Sequence, residues 1–149
     1  MPERTFVMVK PDGVSRRLCG EVIRRYEARG LKLIGLKMQT ISEEIAKKQY
    51  AEHAEKPFFG DLVRFITSGP TVQMVWEGEG AVEVVRKMNG ATNCRLAEPG
   101  TIRGDFGLSN QNNIVHASDS SETVVREIGL YFADDELYSY TLPDASWVS

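Results

Sequence analysis

Cysteine and histidine are scarce in this 149-residue sequence, which contains two of each. Cys19 and Cys94 lie far apart and neither belongs to a C-x-x-C pair, so a zinc site has little support. One disulfide between them stays an open alternative, but two isolated cysteines fit a reducing cytoplasm better.

Long apolar runs are also missing. No run approaches the roughly 18 residues that suggest a membrane span. The N-terminus carries Glu3 and Arg4 at once and lacks the apolar core of a signal peptide. We therefore expect a cytoplasmic protein that has no membrane partner.

An excess of positive charge is the third absence, because 21 acidic residues outnumber 18 basic ones and the net charge is −3. This balance argues against a nucleic-acid binder that relies on bulk positive charge, although the basic residues can still form a local pocket. Hydrophobic and charged fractions of 42% and 26% are ordinary for a soluble globular protein. The length predicts a single domain over residues 1–149 with a real core.

Several common nucleotide and hydrolase motifs are absent. There is no G-x-x-x-x-G-K-[ST] phosphate loop, and Gly78-x-Gly80 lacks the third glycine of G-x-G-x-x-G. The H-R-D and D-F-G motifs of protein kinases do not occur together, and the G-x-S-x-G motif of hydrolases is missing. A nucleotide-handling protein with this sequence would work without a glycine-rich loop that opens a helix.

Hydrophobic periodicity predicts strands that are separated by helices. The predicted strands cover residues 5–10, 31–40, 71–77 and 114–117. The predicted helices run from Gly20 to Gly30 and over residues 42–50, 59–67, 81–88 and 119–131, the last opened by Asp119-x-x-Glu122 as a capping box. Without insertions, the order β-α-β-β-α-β predicts an α+β fold of the ferredoxin-like split βαβ type, with helices on one face of a four-stranded antiparallel sheet.

A long segment with almost no periodicity, residues 89–113, is inserted before the last strand. It contains Gly90, Pro99, Gly100, Gly104 and Gly107. A structureless loop of this length is unusual in a compact domain, which hints at a functional role.

His116 is a candidate for chemistry because it lies on a predicted short strand between small residues, which would leave its ring approachable. An imidazole can act as a nucleophile or a proton carrier near neutral pH. A lone histidine near a strand end is more often structural, so spacing alone leaves both interpretations open.

Basic and aromatic side chains form a second group of candidates. Arg103, between glycines, could bring a guanidinium to a phosphate or lie on a plain turn. Arg86 and Thr92 could add phosphate donors, although an exposed helix face is the plainer interpretation of Arg86. Lys10 could face a cleft or serve as an edge charge. Phe58 could stack on a flat ring, or be buried like most phenylalanines.

Taken together, several strings resemble the nucleoside diphosphate kinase family. The most specific are GTIRGDF at residues 100–106 and NIVHASDS at residues 113–120. Further agreement comes from TFVMVKPDGV at 5–14, KPFF at 56–59, SGP at 68–70, MVWEG at 74–78 and ATN at 91–93. The resemblance runs nearly without gaps from about Arg4 to Trp147.

The resemblance implies reversible transfer of the γ-phosphoryl group from a nucleoside triphosphate, typically ATP, to a nucleoside diphosphate, with broad base specificity. It implies a ping-pong cycle in which Nδ1 of His116 takes the phosphoryl group. Glu127 and Ser118 would orient the imidazole, and Tyr50 would bring its hydroxyl near the transferred group.

The resemblance also implies a set of nucleotide-binding residues. The phosphates would be bound by Arg86, Thr92 and Arg103, and by Mg²⁺ that is held through the phosphates without direct protein ligands. Lys10 and Asn113 would contact the sugar and nearby phosphate. The base would stack on Phe58, which Leu62 supports.

One departure from the family pattern is Cys94, which stands where the family commonly has a proline after Thr92-Asn93. In the family this loop contributes to subunit contacts, so the departure bears on loop rigidity and assembly. The C-terminal residues 144–148 resemble the tail of hexameric members, which favours a homo-hexamer over a tetramer.

Two other functions stay open at this point. The first is a non-catalytic nucleotide-binding protein on the same fold, because a fold does not fix a function. The presence of the nucleophile, the orienting acid and the phosphate ligands argues against it. The second is a protein-histidine phosphotransfer module, which would leave Phe58, Lys10 and Asn113 without a nucleotide to bind.

Overall fold

The computed structural model describes residues 2–148 and contains a four-stranded antiparallel sheet with helices packed against it. The strands are β1 (Glu3–Val9), β2 (Lys32–Gln39), β3 (Thr71–Gly78) and β4 (Val115–Ala117). The helices are α1 (Pro11–Ser15), α2 (Cys19–Arg29), α3 (Glu43–Gln49), α4 (Phe59–Ile66), α5 (Ala81–Asn89), α6 (Ile102–Phe106), α7 (Ser121–Tyr131) and α8 (Ala145–Val148). Short 3₁₀ turns lie at Ala51–His53, Cys94–Leu96 and Asp134–Glu136.

The strand order is β2-β3-β1-β4, so β1 is an inner strand between β3 and the short β4. Val7 of β1 lies opposite Met74 of β3 and Ala117 of β4, and both pairings are antiparallel. The sheet and the order of its elements confirm the predicted α+β fold.

Helices cover both faces of the sheet, so the prediction of a single covered face is wrong. Val7 and Val9 pack in one buried cluster with residues of α2 and α5, whereas Phe6 and Met8 pack in a second cluster with residues of α3, α4 and α7. Successive side chains of a strand point to opposite faces. The inserted helices α3 and α4 therefore complete a second hydrophobic core rather than leaving that face to solvent.

The end of α2 and the start of α3 lie where they were predicted, whereas the predicted cap of α7 is displaced. Gly30 ends α2 with φ of 106°, and the Ser42 side chain accepts the N–H of Ile45 at the start of α3. The predicted capping box at Asp119 is wrong, because Ser120 Oγ accepts the N–H of Thr123 at 3.2 Å. Both residue types cap well, so the sequence did not distinguish neighbouring positions.

Two segments in which the sequence predicted no helix contain short helical turns. Pro11 begins α1 as its first helical residue, where its fixed φ suits a helix. The segment 89–113 contains the 3₁₀ turn Cys94–Leu96 and the helix α6. Thr101 caps α6 by accepting the N–H of Gly104 at 3.0 Å. Elements of three to five residues are too short to leave a periodic pattern.

Both cysteines are free thiols, which excludes the disulfide that the sequence left open. Cys94 is buried, and a Cβ on Gly107 would lie 2.2 Å from its Sγ, so the thiol packs directly on the backbone of Gly107. Among residues 2–148, no helix is both long and apolar enough to cross a membrane.

Candidate active site

One cleft of about 620 Å³ opens beside β4 and collects nearly all the residues that the sequence singled out. The predicted residues that line it are Lys10, Tyr50, Phe58, Leu62, Arg86, Thr92, Arg103, Asn113, His116 and Glu127. Ser118 is the exception, because its side chain lies fully buried behind Glu127. The structure therefore brings together residues that are more than one hundred positions apart.

The strand that carries His116 is fixed by a strained residue just before it. Ile114 has φ of 76°, which is costly for a β-branched side chain, and β4 accordingly begins one residue later than predicted. The N–H of Ile114 donates to Asp12 Oδ2 at 3.0 Å, and the carbonyl of Ile114 accepts the N–H of Lys10 at 2.8 Å. These two contacts tie β4 to the start of α1 and hold the histidine in place.

The imidazole of His116 has one nitrogen engaged and one free. Nε2 lies 2.6 Å from Oε2 of Glu127, and the side chain is 27% exposed. Because an ionised carboxylate only accepts hydrogen bonds, Nε2 carries the proton and Nδ1 carries the lone pair. Among the described residues no group hydrogen-bonds Nδ1, which leaves the ring ready to act as a nucleophile.

Glu127 is a buried carboxylate with a full set of donors. Ser118 Oγ donates to its Oε1 at 2.5 Å, while His116 Nε2 and Gln49 Nε2 both donate to its Oε2. Burial favours the neutral acid, but the hydrogen bonds from His116, Ser118 and Gln49 outweigh it and hold the pKa of Glu127 below its usual value. The carboxylate is therefore ionised at neutral pH.

Gln49 is a member of this site that the sequence analysis missed. It is the last residue of α3, is 3% exposed, and accepts a hydrogen bond at 2.8 Å from the hydroxyl of Tyr131. A glutamine on a short amphipathic helix reads as a solvated side chain, so no sequence signal pointed to it. Only its burial beside Glu127 reveals its importance.

Tyr50 follows α3 and lines the cleft. Burial, with the nearby charge of Glu127, raises the pKa of Tyr50 to about 12. The phenol therefore keeps its proton at neutral pH and can donate a hydrogen bond to an anionic ligand.

Arg103 is buried in α6 and holds three parts of the chain together. Its guanidinium donates to the carbonyls of Asn113 at 3.2 Å, Gly90 at 2.8 Å and Val115 at 2.6 Å. Burial lowers the pKa of Arg103, yet an arginine remains charged at neutral pH. A guanidinium has five N–H groups, so two remain for a ligand in the cleft.

Lys10 and Asn113 form a linked pair in the middle of the cleft. Lys10 Nζ donates to Asn113 Oδ1 at 2.6 Å, and Asn113 Nδ2 donates to the carbonyl of Thr92 at 3.0 Å. Burial is the main cause that lowers the pKa of Lys10 to about 8, with Asp12 opposing and Arg103 assisting. A phosphate beside this ammonium would offset the cost of its burial.

Phe58 lies at the outer end of the cleft and is 45% exposed. Its ring contacts His53, with centroids 5.6 Å apart, while the neighbouring Phe59 packs against the second buried cluster. Leu62, one turn further along α4, lines the same end. Of the two interpretations left open by the sequence, the structure supports an accessible aromatic face.

Several cations line the cleft that contains the imidazole. Arg86 on α5 lines the cleft with Lys10 and Arg103, whereas Lys87 pairs with Glu83 at 3.0 Å on the exposed face of α5. A free imidazole nitrogen, several cations and a flat apolar ring form a site for a phosphorylated ligand that carries an aromatic base. The fold and the cleft thus define a phosphate-handling nucleotide enzyme.

Comparisons with known proteins agree with this class. A family model described as nucleoside diphosphate kinase matches residues 3–137. Nucleoside diphosphate kinases of Archaeoglobus fulgidus and a Cyanothece species are 58% and 57% identical over 146 residues, covering 98% of this chain and 97% and 98% of theirs. A solved nucleoside diphosphate kinase of Halobacterium salinarum, in complex with CDP, has a TM-score of 0.97 and 51% identity and covers 100% of this chain and 99% of that chain.

The chain belongs to the nucleoside diphosphate kinase family. It is accordingly an enzyme of nucleotide phosphotransfer, and the resemblance found in the sequence is confirmed.

Proposed function

We propose that this enzyme moves the γ-phosphoryl group between nucleotides through a phosphohistidine on Nδ1 of His116. The Nδ1 lone pair forms the N–P bond while the bond between the γ-phosphorus and the bridging oxygen breaks, and the nucleoside diphosphate leaves. A second diphosphate then takes the phosphoryl group by the reverse step. The free Nδ1, beside an Nε2 that Glu127 holds at 2.6 Å, is the observation that carries the proposal.

Glu127 and Ser118 prepare the imidazole for this step. The carboxylate fixes the proton on Nε2 and stabilises the positive charge that the ring gains as the N–P bond forms. Ser118 holds the other carboxylate oxygen, so the ring and its partner are oriented before the nucleotide binds. The Tyr50 hydroxyl lies near the transferred phosphoryl group and donates a hydrogen bond to it.

The phosphates are bound by Arg86, Thr92 and Arg103. Phosphoryl transfer asks a protein mainly for positioning and charge stabilisation, and losing one such contact commonly costs about 2.7–4 kcal/mol of transition-state stabilisation. Arg103 is well prepared for this task, because three carbonyls already fix its guanidinium.

A divalent ion fits this site only together with the nucleotide. Among the described residues, no group of three or more histidine, cysteine, aspartate or glutamate side chains could hold a metal. The carboxylates of Glu52, Asp61, Asp119 and Glu127 also line the cleft, but no three of them form a metal site, so we assign Mg²⁺ to the phosphate oxygens. Bound in this way, Mg²⁺ would supply additional charge neutralisation on the phosphate chain.

Broad base specificity follows from the outer end of the cleft. Phe58 presents an aromatic face, which every base can stack on, and Leu62 supports it. Lys10 and Asn113 contact the sugar and the nearby phosphate, which are common to all nucleotides. None of these contacts reads the edge of a base.

A homo-oligomer, with a hexamer favoured over a tetramer, and a cytoplasmic location complete the proposal. Exposed apolar side chains support an assembly: Leu96 and Leu108 in the long loop are 73% and 82% exposed, and Trp147 is 85% exposed. A neighbouring subunit that covers these side chains would remove their apolar surface from water.

Brief incubation with γ-labelled ATP tests the mechanism. We expect label on the protein that survives alkali, is lost in acid, maps to the peptide containing His116, and moves onto added GDP, UDP or CDP. Acid-stable label would indicate a hydroxyl ester and would overturn the phosphohistidine. Label that no diphosphate removes would exclude the ping-pong cycle.

A further inference from the structure

Two donors share one oxygen of Glu127. His116 Nε2 and Gln49 Nε2 both point at Oε2, and these two nitrogens lie 3.4 Å apart. Since Nε2 of His116 donates to the carboxylate, it cannot also accept from the Gln49 amide. The 3.4 Å approach is therefore the distance between two donors to a common acceptor.

The Gln49 amide cannot turn away from this position. Its Oε1 accepts the Tyr131 hydroxyl at 2.8 Å, and a flipped amide would place that oxygen against the Glu127 carboxylate. The Tyr131 ring is 5% exposed and stacks on Phe6, with centroids 5.1 Å apart and 10° between their planes. Phe6 in turn lies 6.2 Å from the His116 ring, so the packing that fixes Tyr131 continues to the imidazole.

We propose that Gln49, fixed by the hydroxyl of Tyr131, is a positioning residue for phosphoryl transfer: its amide holds Oε2 of Glu127 on the Nε2 proton of His116. The inference rests on the phosphohistidine mechanism proposed above. It adds to that mechanism a relay that runs from Tyr131 through Gln49 and Glu127 to the ring.

The relay has a physical consequence for the reaction. With Gln49 in place, Oε2 has two donors and a fixed direction, so the imidazole stays in the Nε2–H tautomer with Nδ1 free. Without the amide, Ser118 alone holds the carboxylate, which can then tilt about its last bond and loosen the orientation of the ring. Misplacement of a reacting atom by a small distance is costly in rate, even when the ligand still binds.

Gln49→Leu tests the proposal, because it removes the amide and keeps a side chain of similar size. We expect the single-turnover rate of phosphorylation by ATP to fall roughly tenfold, the size of one hydrogen bond to a charged group, while ADP affinity stays nearly unchanged. A folded Gln49→Leu variant with an unchanged rate would overturn the proposal. So would an equal loss of rate and affinity, which would indicate a role in cleft shape only.

Gln49→Glu separates positioning from space filling. It keeps the size of the side chain but replaces the N–H donor to Oε2 of Glu127 by an oxygen that donates only when the new acid is protonated. A second carboxylate against Glu127 must instead repel it or take a proton from the site. We expect this variant to phosphorylate more slowly than Gln49→Leu at high pH and to recover as the pH falls, because the protonated acid can donate to Oε2 as the amide does. A rate at high pH equal to that of the unchanged protein would contradict the relay.

Tyr131→Phe tests the outer part of the relay, since it removes the hydroxyl and keeps the ring that stacks on Phe6. We expect a smaller loss of rate in the same direction. The double variant Gln49→Leu/Tyr131→Phe should be no slower than Gln49→Leu, because the hydroxyl acts through the amide. Additive losses would show that Tyr131 acts independently.

The tautomer gives a readout that stability cannot mimic. The chain has two histidines, so ¹⁵N-histidine spectra resolve His116 from His53. Gln49→Leu should reduce the Nε2–H population of His116, whereas Gln39→Leu, at a partly buried glutamine bonded to Gln73, should not. If the unchanged protein acquires no label on His116, the mechanism itself fails; if it does and the Gln49 variants match it, only the relay fails.

Discussion

The two ends of the cleft are held very differently. At the inner end the Glu127 side chain is 1% exposed and has three donors, and a strained Ile114 fixes the strand that carries His116. At the outer end Phe58 is 45% exposed, and its ring is contacted by the His53 ring, with centroids 5.6 Å apart, and by Lys56 Nζ, 5.6 Å from its centroid. The inner end fixes the position of the His116 imidazole, whereas the outer end presents only an aromatic surface for stacking.

This difference matches what each end has to do. A bond-forming step depends steeply on position and orientation, so its residues need partners on every side. Stacking depends on area and tolerates sideways shifts, so a single exposed ring is enough. We expect substitutions at the inner end to change rates, and substitutions at the outer end to change affinities.

The largest effect is expected at His116. His116→Gln removes the nucleophile and should lower turnover by roughly 10⁴-fold or more, with no label retained from ATP. The glutamine amide can still donate to Glu127, so the fold and nucleotide binding should persist in thermal unfolding and ADP titration. His53→Gln is the matched control and should still become labelled. Substantial turnover of His116→Gln would contradict the assignment.

A smaller effect is expected at Glu127. Glu127→Ala removes the charge behind the ring and should lower the phosphorylation rate by about 10²-fold, while ADP affinity changes little. It also leaves buried donors without an acceptor, so the free energy of unfolding should fall by about 1–3 kcal/mol. Glu122→Ala, at an exposed site on the same helix, is the control. Equal loss of binding with an unchanged single-turnover rate would overturn the orienting role.

The outer framework of the fold could be predicted because its elements are long and periodic. Each of these elements has a local signal in the sequence. The strand β1 is rich in β-branched residues, the helical spacing of α2 ends at Gly30, and Gly69-Pro70 follows α4. The single turns α1 and α6 could not be predicted, since no period is visible in five residues. The second covered face could not be predicted from β1, because a strand that is buried on both faces is a continuous apolar run without polar alternation.

The candidate site divides in a similar way. The resemblance supplied residues that the structure brings into one cleft, but it could not supply their partners. Nothing in the sequence indicates that Arg103 donates to three carbonyls, or that Gln49 lies against Glu127. Such contacts depend on how separate elements pack, and local patterns carry no information about them.

A moderate effect is expected at the outer end. Phe58→Ala should weaken binding of every nucleotide by about 1–3 kcal/mol, because each base loses the same stacking face. The single-turnover rate at saturation should stay close to that of the unchanged protein, as should the affinity of Phe58→Tyr, which keeps the ring. Titration with purine and pyrimidine diphosphates measures the effect. A loss confined to purines would count against simple stacking.

The smallest effect concerns Lys10, which lies between the two ends. Its pKa is lowered from 10.5 to about 8, chiefly by burial, so between these values the unfolded chain holds this proton more often than the folded one. The Lys10 contribution to stability therefore rises with pH across that window. Urea unfolding below pH 8 and between pH 8 and 10.5 should show the free energy of unfolding of the unchanged protein rising relative to that of Lys10→Met. Other groups, such as the partly buried Cys19 thiol, cancel in the difference.

Bound ADP should abolish that trend. A phosphate beside Lys10 favours the ammonium form, so the folded complex keeps the proton that the free protein gives up. The gap between the unchanged protein and Lys10→Met should then vary little with pH when ADP is saturating. A gap that rises equally with and without ADP would place Lys10 away from the phosphates. Lys10 would then belong to the structural inner end rather than to the ligand-responsive part of the cleft.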